Sequence, residues 1–193
     1  MLEVLFFSNN DHKVNEIKKL FRDFSIQVYS PKDFNLKFEP NEKGTSFIEN
    51  AKIKSEYGFK KTNLPCFSDD SGICIEALNW KPGIHSKKFL NSFNAEIDCF
   101  DFIINKVKES KKRRAYFQTS ICYTFKNFYN VVFQGKINGE ISESILGRKG
   151  FGYDPIFIPN GYSKSFGEMS LSKKNKLSHR SIAIKKLIGF LSN

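Results

Sequence analysis

Leu2 to Phe7 is a short run of apolar, β-forming residues, and the polar cluster Ser8-Asn9-Asn10-Asp11-His12-Lys13 ends it at once. Val14, Ile17, Leu20, Phe21 and Phe24 then recur at helical spacing, with Lys18, Lys19 and Arg22 on the other side. Ile26 to Tyr29 reads as a second strand, closed by Ser30-Pro31. Buried strand, polar loop, helix and strand in so short a span point to an α/β fold. The same order presents backbone N–H groups to an anion at the helix start. The loop lacks a Gly-rich phosphate pattern, so Lys13 reads either as a phosphate ligand or as a solvated first-turn lysine.

The 193 residues suffice for one well-buried domain spanning 1–193, and 21 Phe supply its core without covalent staples. The formal net charge of +11 attracts polyanions, which leaves nucleic acid, an anionic membrane or a small phosphorylated substrate. Cys66, Cys74, Cys99 and Cys122 show no C-x-x-C pairing and no His at metal-ligand spacing. That pattern argues against a zinc site or a disulfide framework and for reduced thiols in a cytosolic protein. The start, Met1-Leu2-Glu3-Val4-Leu5-Phe6-Phe7, has no basic leader region and no cleavage site, and no segment reaches membrane-spanning length. The expectation is a soluble, cytoplasmic protein with no membrane partner.

A polar stretch with Glu39, Pro40, Asn41, Glu42 and Gly44 follows the second strand as a loop. Ser46-x-x-Glu49 has the form of a capping box and opens a helix that ends near Lys61-Thr62-Asn63. Lys52 and Lys54, two apart on that helix, diverge, so one of them faces a given site. Trp80-Lys81-Pro82-Gly83 turns the chain into the basic loop His85-Ser86-Lys87-Lys88-Phe89. Ala95 to Glu109 is a helix with Asn94 as its N-cap. Ala115 to Phe125 and Tyr129 to Phe133 read as two long antiparallel strands, and Asn138-Gly139 as a further hairpin. Pro155 to Ile158 is a short strand, and Ser178 caps a last helix, which sets His179 and Arg180 at an anion-attracting start.

Two stretches carry chemistry. In Phe67-Ser68-Asp69-Asp70-Ser71-Gly72 an apolar strand breaks into adjacent carboxylates and small residues that let the backbone turn. Two such acids in a secluded pocket call for a bound cation or for one acid with a raised pKa; in isolation the stretch also reads as a solvated turn. In Ile145 to Pro155, three glycines and two basic residues surround Phe151, Tyr153 and Asp154, a loop able to bring backbone and a ring face against a flat ligand.

Six motifs stand in one order along the chain: Ser8-Asn9-Asn10 to Lys13, Ser46-Phe47-Ile48-Glu49-Asn50-Ala51, Ser68-Asp69-Asp70-Ser71-Gly72, Pro82-Gly83-Ile84-His85-Ser86, Gly150-Phe151-Gly152-Tyr153-Asp154-Pro155 and Ser178-His179-Arg180. Together they resemble the inosine triphosphate pyrophosphatase family. The resemblance implies an elongated mixed α/β sheet with flanking helices, two lobes around a deep nucleotide-binding cleft, and a homodimer. It also implies Mg²⁺-assisted attack of water on the α-phosphorus of ITP, dITP or XTP, releasing the monophosphate and pyrophosphate. On this chain it implies that Ser8, Asn9, Asn10, Asp11, His12 and Lys13 hold the triphosphate with Lys54. Glu42 and Asp69 would be metal ligands, and Asp70 general base or metal ligand. Ser71 and Lys87 would contact substrate. Phe151 would stack on the base in the loop with Gly152 and Tyr153, Asp154 would close the pocket, and Lys174, His179 and Arg180 would read and hold the base. Departures from the family's usual residues are Trp80 before the Pro-Gly turn, Lys88 in place of Arg, and Gly167 before Glu168.

Two other classes compete. A nucleic-acid-binding module accounts for the charge, but the basic residues are dispersed and no nucleic-acid motif is present. A pyrophosphatase acting on other modified nucleotides shares the motifs and differs in substrate.

Overall fold

The structure, a computed structural model, describes residues 2–36 and 40–192. Met1 and Glu39, named above in the leading run and the polar loop, lie outside the described residues. Strand β1 (Leu2–Phe6) buries Val4, Leu5 and Phe6 completely, as the apolar run from Val4 to Phe7 requires of a strand covered on both faces. It pairs in parallel with β2 (Ile26–Tyr29), Leu2 opposite Ile26 and Leu5 opposite Tyr29, and helix α1 (Asp11–Phe21) makes the crossover. Asn10 caps α1 by accepting from the Lys13 amide. Helix α2 (Phe47–Thr62) opens on Ser46, whose side chain accepts from Glu49 N, and stops at left-handed Asn63, both ends as expected.

Strand β3 (Cys66–Ile75) pairs in parallel with β1 and in antiparallel with the short β4 (Lys81–Pro82). Here the structure corrects the reading of Asp69-Asp70-Ser71-Gly72 as a strand end: the strand runs through all of them. Gly72 serves close approach, since a Cβ there would lie 2.1 Å from Gly83 O. Helix α3 (Ser86–Leu90) takes the segment expected as a basic loop. Helix α4 (Glu96–Ser110) is capped at Ala95, one residue after the expected Asn94, because the Asp98 carboxylate reaches back to Ala95 N.

Strands β5 (Arg114–Phe125) and β6 (Tyr129–Ile141) form the long hairpin. The second correction falls at Asn138-Gly139, which lies inside β6 and does not turn: a Cβ on Gly139 would lie 2.3 Å from Ile158 O of β7 (Phe157–Pro159). β7 pairs in antiparallel with β6, Gly139 opposite Pro159. Helix α5 (Leu171–Leu177), which was not anticipated, is capped by Ser170, and α6 (His179–Leu191) follows extended Ser178. Among the described residues the sheet order is β2-β1-β3-β5-β6-β7, with β4 beside β3.

The chain divides into two compact units. The first holds the described residues up to Asp70, then Thr119–Gly135 and those from Arg180 onward; the second holds Ser71–Gln118 and Lys136–His179. The chain changes unit within β3, β5 and β6 and again after the first residue of α6, so neither unit is one stretch of sequence. The first is built on Val4, Phe6, Ile17, Phe67, Ile121 and Leu187. The second is built on Ile73, Ile103, Phe117, Ile141, Phe157 and Phe166. All four cysteines are buried free thiols. Among the described residues no helix is long and apolar enough to cross a membrane.

Candidate active site

In the first unit, Asp69 and Asp70, buried in the middle of β3, face cations supplied by three helices. Lys13, on the first turn of α1, donates to Asp69 Oδ1 at 3.1 Å. Arg180, on the first turn of α6, donates through Nε to Asp69 Oδ2 at 3.3 Å and through Nη1 to Glu16 Oε2. Thr119 of β5 donates to Asp69 Oδ2 at 3.5 Å and to the Asp70 carbonyl at 3.2 Å. Asp69 is therefore an internal counter-ion, held by donors from α1, α6 and β5.

Asp70 has other company. Lys54 Nζ lies 3.7 Å from its Oδ1 and 2.9 Å from Glu42 Oε1, while Asn50 donates to its Oδ2 at 3.2 Å. Exposed Lys52 pairs instead with half-buried Glu56, as the divergence of two lysines two apart requires. Burial raises the Asp70 pKa, against the lowering pull of Lys54 and Lys13. Burial acts to lower the Lys54 pKa, but Asp70, Asp69 and Glu42 together outweigh it and hold the ammonium above its ordinary range. At Lys13 burial prevails over Asp69 and pushes the pKa down. Arg180 is held above its usual value although burial opposes this, because Glu16 and Asp69 both favour the guanidinium.

The loop before α1 brings small donors to the same unit. Ser8 is buried, its hydroxyl accepting from Asn10 N at 3.3 Å, while Asn9, Asp11 and His12 are exposed and Asp11 pairs with Lys32 at 2.7 Å. Glu42, Asp69 and Asp70 do not converge on one point: Glu42 and Asp70 meet at Lys54, and Asp69 meets Lys13 and Arg180. Among the described residues no three His, Cys, Asp or Glu side chains cluster as a metal cage.

The second unit holds the other sequence-derived candidates. Asp154, buried, accepts from the Phe151 amide at 2.9 Å and from Lys174 Nζ at 2.7 Å. Lys174 also lies 4.5 Å from the centre of the Phe151 ring. Gly150 stands at φ +78, and a Cβ there would strike Asp154 Oδ2 at 2.0 Å, so the loop turns tightly around that carboxylate. Gly152 is left-handed as well, at φ +58. Tyr153 is buried and donates to the Ser86 carbonyl at 2.7 Å. His179 stacks on Phe117 at 4.8 Å with rings 8° from parallel. Lys87 is exposed on α3, and Ser71 is half-buried. Lys174, His179 and Arg180 thus have different surroundings: Lys174 joins the Phe151 loop, His179 a buried aromatic, and Arg180 the carboxylates of the first unit.

Sequence reasoning missed Glu16, Asn50, Thr119 and Ser86. Glu16 left a trace, since it stands three residues after Lys13 and four before Leu20, an acid at the border of the apolar stripe of α1. Asn50 and Ser86 lay within quoted motifs without a role, and Thr119 gave no signal in an alternating strand.

The Ham1 family model matches residues 4–190. A protein described as dITP/XTP pyrophosphatase from Christiangramia forsetii is 37% identical over 191 residues, covering 99% of this chain and 100% of that one. One of the same description from Leptospira interrogans is 37% identical, covering 95% and 94%. The structure of a HAM1 protein from Coxiella burnetii matches 100% of this chain and 99% of its own with a TM-score of 0.88 at 32% identity. That of the Staphylococcus aureus Ham1 protein gives 0.85 at 35% identity, with 98% of each chain covered. The resemblance carried by the six motifs holds along the whole chain, and the chain belongs to the Ham1 family.

Proposed function

We propose that this chain is a nucleoside triphosphate pyrophosphatase that hydrolyses the deaminated purine nucleotides dITP, XTP and ITP to the monophosphate and pyrophosphate. Its Ham1 membership and relatives described as dITP/XTP pyrophosphatases support the reading. The observation that carries it is the convergence of Lys13, Lys54 and Arg180, from three helices, on the adjacent carboxylates Asp69 and Asp70. A triphosphate needs fixed cations, and hydrolysis at phosphorus needs an ionisable acid beside them.

In this reading Lys13 and Lys54 hold the triphosphate, with Ser8, Asn9, Asn10, Asp11 and His12 at the start of α1. Lysines already neutralised by carboxylates can exchange them for phosphate oxygens without leaving a bare buried charge. Asp70 and Glu42, hard oxygen donors beside one ammonium, fit a Mg²⁺ ion, which takes one or two carboxylates together with substrate phosphates and waters. When bound, Mg²⁺ neutralises triphosphate charge and lowers the pKa of a coordinated water. Asp69 is a further oxygen donor in this set, and it orients Lys13 and Arg180. Asp70, if not occupied by metal, takes the proton of the attacking water.

The remaining candidates are assigned to the base. Phe151 stacks on it in the loop with Gly152 and Tyr153, Asp154 and Lys174 bond its edge, and His179, Ser71 and Lys87 contribute further contacts. A 6-oxo purine offers an acceptor where adenine offers a donor, so a lysine at that edge discriminates by mismatched hydrogen bonds. In this reading residues 1–193 form one catalytic domain of a cytoplasmic homodimer, the assembly being checked by sedimentation. The decisive experiment is a steady-state panel of nucleoside triphosphates with Mg²⁺. Pyrophosphate release from dITP, XTP or ITP much faster than from ATP or GTP supports the reading. Release of orthophosphate, salt-dependent oligonucleotide binding without hydrolysis, or preference for another modified nucleotide overturns it.

A further inference from the structure

Asn50 is a polar side chain placed on α2 one turn before Lys54, and it is only 3% exposed. Both ends of its amide are engaged. Nδ2 donates to Asp70 Oδ2 at 3.2 Å, and Oδ1 accepts from the Gly44 amide at 2.9 Å. The orientation is decided by chemistry: a flipped amide would set its oxygen against a carboxylate oxygen and its NH₂ against a backbone N–H. Gly44 lies two residues beyond Glu42 in the loop that leads into α2, and a Cβ there would strike Asn50 Oδ1 at 2.6 Å. Lys54, at the next position on the same helix face, repeats the pattern with charge, joining Glu42 to Asp70. The helix thus ties the loop to the strand twice, once by a neutral amide and once by an ammonium.

The two ties differ in what an incoming substrate does to them. Lys54 is drawn by phosphate oxygens, so its ion pairs with Glu42 and Asp70 compete with the ligand. The amide of Asn50 carries no charge and keeps its partners. Glu49 adds to the loop's hold, accepting from Thr45 N at 2.7 Å and from Thr45 Oγ1 at 3.0 Å, but does not reach β3 in these bonds.

We propose that Asn50 is a positioning residue: it fixes the Asp70 carboxylate in its working orientation and couples it to the loop that carries Glu42, whatever Lys54 is doing. This deepens the pyrophosphatase reading and rests on it for the role of Asp70. Two substitutions separate the halves of the tie. Asn50→Asp keeps an acceptor for Gly44 N but sets a second carboxylate against Asp70, whereas Asn50→Ala removes both bonds.

The test measures hydrogen exchange at the Gly44 amide in the free protein, together with kcat and KM for dITP. Asn50→Asp is expected to leave Gly44 protected and to lower kcat about 10- to 100-fold with KM little changed, the scale of losing a residue that orients a ligand group. Asn50→Ala is expected to lower kcat similarly and to speed Gly44 exchange. Wild-type kcat in both variants overturns the proposal, as does unchanged Gly44 exchange in Asn50→Ala. A rise in KM alone, with kcat intact, also overturns it. If the wild-type chain releases no pyrophosphate from dITP, the pyrophosphatase reading fails, while Gly44 exchange still tests the tie.

Discussion

Arg180 Nε donates to Asp69 Oδ2 at 3.3 Å across 111 residues of sequence, and that bond gives the two neighbouring acids of β3 different work. Asp69 balances Arg180 and Lys13, whereas Asp70 is a carboxyl that burial disfavours as an anion.

The pair should therefore fail differently. Asp69→Asn leaves buried Arg180 with Glu16 alone and half-buried Lys13 without its carboxylate, and is expected to cost about 3–5 kcal/mol in urea unfolding. Asp70→Asn removes a desolvated charge and leaves Lys54 its closer partner Glu42 at 2.9 Å, so it is expected to cost less stability than Asp69→Asn, while kcat with saturating Mg²⁺ falls by about 10²-fold or more. Equal stability losses in the two variants would refute the division of labour. Near-normal turnover of Asp70→Asn would move the catalytic role to Asp69 or Glu42.

Phe151 supplies a ring face, already 4.5 Å from the Lys174 ammonium, and no group that moves a proton. Phe151→Ala is expected to raise KM for dITP and to narrow the preference for dITP over dATP, with kcat much less affected. A loss confined to kcat in steady-state assays would count against stacking.

Gly72 tests the correction made to the acidic stretch. A Cβ there meets Gly83 O at 2.1 Å and Ser86 Oγ at 2.6 Å, and that hydroxyl accepts from Ile73 N at 2.9 Å. Gly72→Ala is expected to destabilise by about 1–3 kcal/mol through overpacking, seen as a lower Tm. Gly58→Ala, whose Cβ would meet Cys66 Sγ at 2.5 Å, should behave alike. A wild-type Tm for Gly72→Ala would mean that β3 and the Gly83 turn are not pressed together.

Burial pushes the Cys99 thiol from its ordinary 9.0 up to about 11. The folded state holds this proton more tightly than the unfolded one, so the stability it contributes is fully present below the unfolded value. It is lost as pH rises through the folded one. Urea midpoints should fall between about pH 9 and about pH 11, and Cys99→Val, which has nothing to titrate there, should fall less. A constant difference between the two proteins across that range would remove Cys99 as the cause.

Local patterns made much of the fold legible. The apolar run from Val4 to Phe7, the helical stripe of α1 as far as Phe21, Ser46 ahead of Glu49 and left-handed Asn63 all act through neighbours within a few residues, and each stands where the chain's periodicity and capping chemistry put it, whereas Phe24 of the expected stripe falls beyond the end of α1. Both misread stretches, Asp69-Asp70-Ser71-Gly72 and Asn138-Gly139, carried turn signals, and in both the glycine serves close approach of another backbone inside a strand. A glycine's freedom is a local property, but whether it is spent on turning or on touching depends on what lies opposite.

The amino-acid sequence by itself determined the alternation of strands and helices, the adjacent acids, the cations Lys13 and Lys54, the Phe151 loop and, through six ordered motifs, the family. Tertiary structure alone decided the partners: Glu16 with Arg180 across 164 residues, Asn50 with Asp70 across 20, Thr119 with Asp69 across 50. The reason is physical. Periodicity and capping are set by bonds along the chain, whereas the worth of a buried charge or amide is set by the group that replaces its water, and folding brings that group from elsewhere.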